Sequence, residues 1–207
     1  MIRKEDIYNV IPKDVLLEIF ENFELDIKDG IHGFYHWSRV IDNGLYIAKN
    51  NNANKNIIIA FGIFHDIKRE NDDEDPEHGY RGGLLIEKYK NKINLNENEL
   101  KKTIEACSGH TNILHHSDLD ISTCWDADRL DLYRVGVYPN AEYLNNEFSK
   151  KENVIRERSI LALDEEIPMW AYHILKEVIE PMLKQKELNI FLNNKDFKKN
   201  NKIKLER

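Results

Sequence analysis

The chain is poor in cysteine and proline and has no long apolar run, and each shortage excludes something. Its only 2 cysteines, Cys107 and Cys124, lie far apart in apolar surroundings. They do not make the framework of a disulfide-stapled scaffold and read as buried, reduced thiols. No apolar stretch approaches the roughly 18–20 residues that span a bilayer, and no apolar segment follows the basic residues of 1–6. Neither a membrane span nor a signal peptide is expected, and a cytoplasmic location is. Basic charge is also scarce over most of the chain. The net charge is -7, and 195–207 carries six Lys/Arg against Asp196 and Glu206, which leaves about -11 on the rest. An acidic body without an aromatic-interleaved basic stripe argues against a nucleic-acid groove. The basic tail reads as a frayed, solvated terminus.

At 207 residues the prior is one domain with a large core. Apolar residues mostly recur at three- and four-residue steps, so the expected fold class is all-α. Helices are expected at 12–23, 32–49, 57–68, 76–89, 97–108, 123–135, 140–163 and 168–183. Asn96 reads as a cap, and Pro76 suits a first helical turn. The segment 57–64 is apolar nearly all round, so periodicity does not separate helix from strand; its length and Ala60-Phe61-Gly62 favour helix. Polar loops are expected at 50–56 and 91–98. The apolar positions of 167–183 suit either the core or the face of a homodimer, and Phe191 and Phe197 are candidates to pin the C-terminal segment.

Against this background the order His36, His65-Asp66, Asp128 stands out. A lone histidine on an apolar helix is usually a core residue, and a lone aspartate is often a cap. A buried helix that ends in an adjacent His and Asp is different, because an unpaired buried polar group costs roughly 1–3 kcal/mol. A metal satisfies both. Ligands from three facing helices are a normal way to build a metal site in a bundle. The mixed N/O set suits Mn, Fe, Co, Ni or Zn better than Ca.

Phe64-His65-Asp66-Ile67, Ala127-Asp128-Arg129-Leu130 and His36-Trp37-Ser38-Arg39-Val40 together resemble the HD superfamily, named for its His-Asp doublet. Asp75-Pro76-Glu77-His78-Gly79-Tyr80-Arg81 and Trp125-Asp126-Ala127-Asp128-Arg129-Leu130-Asp131-Leu132 also resemble a bacterial subgroup of it. The resemblance implies a single-domain helical bundle of the HD type at 29–186, an N-terminal helix packed on it in 1–28, and a basic tail at 187–207. It implies His36, His65, Asp66 and Asp128 as ligands of a divalent transition metal. An alanine before it and an arginine after it select Asp128, with Asp126 as the fallback. Asp131, three residues on, is placed to support a ligand.

His78 and His110 have the order of the two extra histidines that hold a second metal in some branches of the superfamily. A phosphate contact or proton donation to a leaving group is an equal reading of both, and so is a plain surface histidine beside a glycine turn. His32, four before His36, reads as a substrate contact or a helix-start residue. Arg39, Arg69 and Arg81 lie three residues after His36, Asp66 and His78, and Arg129 adjoins Asp128. An arginine fork suits phosphate oxygens, although each alone is more often a surface ion pair. The acidic run Glu70, Asp72, Asp73, Glu74, Asp75 and Glu77 reads as a solvated loop at the mouth, unfavourable to highly charged or polymeric anions.

The function expected on these grounds is metal-dependent phosphohydrolysis of a small phosphorylated metabolite such as a nucleotide. Asp66, His78 and His110 carry the chemistry, and Arg39, Arg69, Arg81 and Arg129 bind substrate. The loops at 31–35, 71–80 and 108–120 set specificity, with side chains that suit a polar, hydroxyl-bearing ligand. Two alternatives stand beside it: a di-iron oxygenase of the same superfamily, and a non-catalytic, metal-stapled ligand-binding module.

Overall fold

The computed structural model describes residues 2–205, with side chains described for 2–192. No strand occurs among the described residues, and the fold is all-α. Helix α4 (Lys55–Phe64) is the central element: every residue from Ile57 to Phe64 is buried. Helices α1 (Lys4–Val10), α3 (Phe34–Asn51), α5 (His78–Tyr89), α6 (Glu97–Gly109) and α7 (Leu119–Arg129) pack around it. This explains why 57–64 lacks a polar face. Each fully buried Ile or Phe there contributes roughly 1.5–3 kcal/mol of transfer free energy.

Helices α3 and α4 form a hairpin. Asn52 closes α3 with φ 62°, in the left-handed region that asparagine tolerates. Asn54 opens α4, its side chain accepting from the Asn56 amide. The hairpin returns the end of α4 to the first turn of α3 and so brings the His-Asp doublet to His36. Helix α5 approaches α4 and α6 closely through glycines. A Cβ on Gly82 would lie 2.3 Å from the Phe64 carbonyl oxygen, and one on Gly79 2.1 Å from that of Cys107. Trp125 of α7 donates its Nε1 proton to the Ala106 carbonyl of α6 at 2.9 Å. Asn43 of α3 donates to the Ala127 carbonyl of α7 at 3.0 Å.

Several expected boundaries move for identifiable reasons. The N-terminal region holds two helices rather than one, α1 and α2 (Lys13–Glu21). The chain from Asp26 to Gly33 is a hydrogen-bonded turn, so His32 precedes α3 instead of lying on its face. Helix α7 starts early because Asp118 caps the amides of Asp120 and Ile121. It tightens after Arg129 into a 3₁₀ turn, Leu132–Val135. The single helix expected at 140–163 is instead a 3₁₀ turn, Ala141–Tyr143, a loop, and α8 (Glu152–Leu163). The loop forms because the amides of Asn145 and Asn146 bond the Asp126 carboxylate rather than helical carbonyls.

Helix α9 (Met169–Ile174) passes through a widened π turn, Leu175–Ile179, into α10 (Glu180–Leu205). The turn precedes Pro181, whose ring would crowd the Glu177 carbonyl in an unbroken α-helix. Trp170, Ala171, Ile174, Leu175, Val178, Ile179 and Met182 face the core. Phe191 is exposed. The tail expected as frayed is helical backbone within α10 to Leu205, and the side chains from 193 on, Phe197 included, lie outside the described residues. No helix is long and apolar enough to cross a membrane among the described residues.

Candidate metal centre

His36 sits in the first turn of α3, held there by the buried Phe34 and Trp37. Its Nδ1 lies 2.7 Å from Asp131 Oδ2. Burial pushes the Asp131 carboxyl up, but His36 and Arg39 outweigh it and hold it below its usual value, so it is an acceptor. The Nδ1–H therefore donates to Asp131, which leaves His36 Nε2 as the nitrogen that faces the centre. His65, just past the end of α4, has Nδ1 within 3.2 Å of the Phe61 carbonyl and 3.1 Å of the Gly62 carbonyl. Carbonyls only accept, so here too Nδ1–H donates and Nε2 is bare. Burial pushes this imidazole down to about 3, so it is neutral near pH 7. His36 Nε2 and His65 Nε2 face each other at 3.0 Å.

A second pair repeats the pattern. His78 Nδ1 donates to the Asp75 carbonyl, and His110 Nδ1 to the Cys107 carbonyl at 2.7 Å. Their Nε2 atoms lie 2.9 Å apart, with Thr111 Oγ1 at 3.4 and 3.3 Å. Asp66 stands between the pairs. Its Oδ2 is 3.5 Å from His36 Nε2 and 3.7 Å from His65 Nε2. Its Oδ1 is 3.0 Å from His78 Nε2 and 3.8 Å from His110 Nε2. Asp128 Oδ1 completes the first group at 3.4 and 3.8 Å from His36 and His65.

Imidazole nitrogens at such distances hold a positive charge between them, a shared proton or a metal ion. Ligand nitrogens about 2.0–2.1 Å from one metal stand roughly 2.9–3.4 Å apart between square and tetrahedral angles. The nitrogen pairs fall in that range and the carboxylate oxygens lie in it or just beyond. The residues therefore fit two cations sharing Asp66. Groups His36–His65–Asp66 and Asp66–His78–His110 are each compact enough to hold one. The electrostatics agree. Burial alone would push His110 down and Asp66 and Asp128 up. Instead the carboxylates pull His110 up, while the histidines hold Asp66 well below the carboxylate range and Asp128 at about 2.

The six residues expected at a metal thus converge, and Asp126 does not join them. Its two oxygens accept four bonds from Asn145 and Asn146 at 2.7–2.9 Å. In place of the expected phosphate contacts, three arginines are engaged by the protein. Arg39 is buried behind His36 and grips Asp131 through Nε at 2.6 Å and Nη2 at 3.1 Å. Arg81 binds both oxygens of Asp75 and the Lys68 carbonyl, which pins the loop before α5. Arg129 donates to the carbonyls of Ile113, Leu114 and Tyr143. Arg69 is at the centre, with Nε 3.2 Å from Asp66 Oδ1.

His32 Nδ1 lies 2.9 Å from Asp66 Oδ2, although the residue is off the helix. Sequence reasoning missed Arg134, which donates to the Ile31 and Asp131 carbonyls beside His32, and Thr111. Their signals were slight: Arg134 is three residues after Asp131, and Thr111 adjoins His110.

A chain from an uncultured Thermotogales bacterium, described as a predicted HD superfamily hydrolase, has a similar structure. The TM-score is 0.58 over 77% of this chain and 92% of that one, at 23% sequence identity. This chain has the HD-domain fold. No family model and no curated protein matches the sequence. In this HD-domain fold the doublet His65-Asp66 lies at the end of the most buried helix, so backbone packing fixes where its donors point.

Proposed function

We propose that the chain is a metal-dependent phosphohydrolase with a two-metal centre, acting on a small phosphorylated molecule. The observation that carries this is the paired arrangement of four imidazole Nε2 atoms about the Asp66 carboxylate. His36, His65, Asp66 and Asp128 would hold one metal, and Asp66, His78 and His110 the other. When bound, the metals supply Lewis acidity toward a phosphoryl oxygen and toward water. Asp131, gripped by Arg39, fixes His36 so that its Nε2 points inward. The Phe61, Gly62, Asp75 and Cys107 carbonyls do the same for the other three rings. The Nε2 atoms of His78 and His110 converge on Asp66 in a group compact enough to hold an ion, which favours ligand roles for both.

Arg69 steadies Asp66 and keeps Nη2 without a partner among the described residues, which suits a phosphate oxygen. His32, buried within hydrogen-bond reach of Asp66, is the candidate to pass a proton to the leaving oxygen. The test is metal content by mass spectrometry of untagged, chelator-free protein, followed by a phosphate-release screen with Mn, Co, Zn and Fe. Two metals per chain with metal-dependent phosphate release is the expected result. Metal content near zero after soaking would sink the proposal.

The di-iron oxygenase remains a second reading for one reason: its six-ligand requirement matches the six residues that converge. Two irons per chain with substrate-dependent O₂ uptake and no phosphate release would favour it.

A further inference from the structure

A cleft of about 200 Å³ opens directly off the second histidine pair, with His110 and Thr111 in its wall. Thr111 Oγ1 touches both Nε2 atoms of that pair, so the cleft and the centre share a boundary. Three larger surface hollows contain none of the six candidate ligands. The lining of this one is short of charge. Ile113, Leu114, Leu132, Pro139 and Tyr143 supply its apolar surface, and no carboxylate or lysine contributes. Its one cation, Arg129, already donates to three carbonyls and holds the two cleft loops together. Ile113, Leu114 and Tyr143 are 48%, 46% and 51% exposed, a costly arrangement in water unless something apolar covers them. The other approach to the centre is acidic. Arg69 donates to the Asn71 and Asp73 carbonyls, which folds the exposed run Asp72, Asp73, Glu74 beside Asp66. That run repels a second anionic group.

We infer that the substrate is a monophosphate ester of an uncharged, largely apolar and compact organic group, and that this group lies in the cleft between Ile113, Leu132 and Tyr143. This rests on the hydrolase reading and narrows its substrate class. It departs from the polar, hydroxyl-bearing ligand that the loop sequences suggested. The size argues for one ring system, since drug-sized ligands occupy roughly 300–1,000 Å³. An extended or polyphosphorylated molecule has no uncharged wall to rest on and meets the acidic loop instead.

The test needs no turnover. Three non-hydrolysable probes are titrated calorimetrically into the Mn-loaded full-length protein: methylphosphonate, phenylphosphonate and 4-carboxyphenylphosphonate. Phenylphosphonate is expected to bind about tenfold tighter than methylphosphonate, from apolar area buried in the cleft. The added carboxylate should remove most of that gain. Ile113→Asp, at an exposed position, and Leu132→Asp should each abolish the preference for the phenyl probe, read as the ratio of the two affinities within each metal-loaded variant. Equal binding of methyl and phenyl probes, or variants that keep the preference, would overturn the cleft assignment and leave the hydrolase reading standing. Binding of no phosphonate by protein that carries its metals would overturn both.

Discussion

His36 and Asp131 are joined by a buried hydrogen bond of 2.7 Å across 95 residues of sequence. The bond sets which nitrogen of His36 faces the centre, and Arg39 sets the carboxylate that makes it. Asp131→Asn offers one oxygen where two are used, and an amide that can donate to Nδ1 and reverse the tautomer. Metal affinity is expected to fall by about ten- to a hundredfold, as for other groups that support a ligand histidine. Competition titration with a chelator measures it, and an unchanged circular dichroism spectrum separates it from unfolding.

Asp126 and Asp128 separate structure from site. Asp126→Ala removes four bonds to the loop at 145–146 and should cost a few kcal/mol of stability, since each bond to a charged group contributes roughly 1.5–3 kcal/mol. The folded fraction should keep its metal. Asp128→Ala should fold normally and bind metal more weakly. Urea denaturation with metal analysis on both variants tests the pair; metal loss confined to Asp126→Ala would reverse the assignment.

Gly79 is the tightest contact behind the second histidine pair. In Gly79→Ala the new methyl meets the Cys107 carbonyl at 2.1 Å and the His110 ring at 2.9 Å. Both must shift, at a cost of about 1–3 kcal/mol. The expected signature is partial: metal at His36–His65–Asp128 survives, and stoichiometry falls from two toward one. Retention of two metals at wild-type stability would contradict it.

Metal-free protein should be acid-labile, and the sign follows from His65. Its folded value of about 3 lies below the ordinary 6.5, so the unfolded chain binds the extra proton between those values. Stability is therefore present above about 6.5 and declines as pH falls toward 3, by up to about 1.4 kcal/mol per pH unit from this group. His110, shifted upward, contributes in the opposite sense and loses its part as pH rises. Urea midpoints in chelator at pH 7, 6 and 5 should fall in that order in wild type, and more shallowly in His65→Gln.

Metal addition should raise the melting temperature. Saturation at about 1,000 times Kd stabilises by roughly 4 kcal/mol, which for a chain of this size is on the order of 10 °C. A melting temperature indifferent to both chelator and metal would contradict the paired histidine geometry.

Much of the fold was legible because its signals are local. The cap of Asn96, the stripe of α3 and the all-apolar α4 depend on neighbours within a turn or two. So do the six candidate ligands, whose motifs are short. The break at 144–151 was not legible. It depends on Asp126 capturing the amides of Asn145 and Asn146, a contact between residues 19 and 20 apart.

The arginines show the same limit at the site. Spacing put Arg39, Arg69, Arg81 and Arg129 one turn from, or next to, candidate ligands, but spacing fixes only where a side chain starts. A guanidinium reaches far enough to choose among several partners, and the choice follows from which buried acceptors lack a donor. Asp131 claimed Arg39, Asp75 claimed Arg81, and three loop carbonyls claimed Arg129. The sequence by itself determined a helical chain that carries six metal-type donors in order. Only the tertiary structure decided that four of them turn Nε2 toward one another around Asp66, because each Nδ1 is held by a carbonyl or carboxylate that folding alone brings to the other side of the ring.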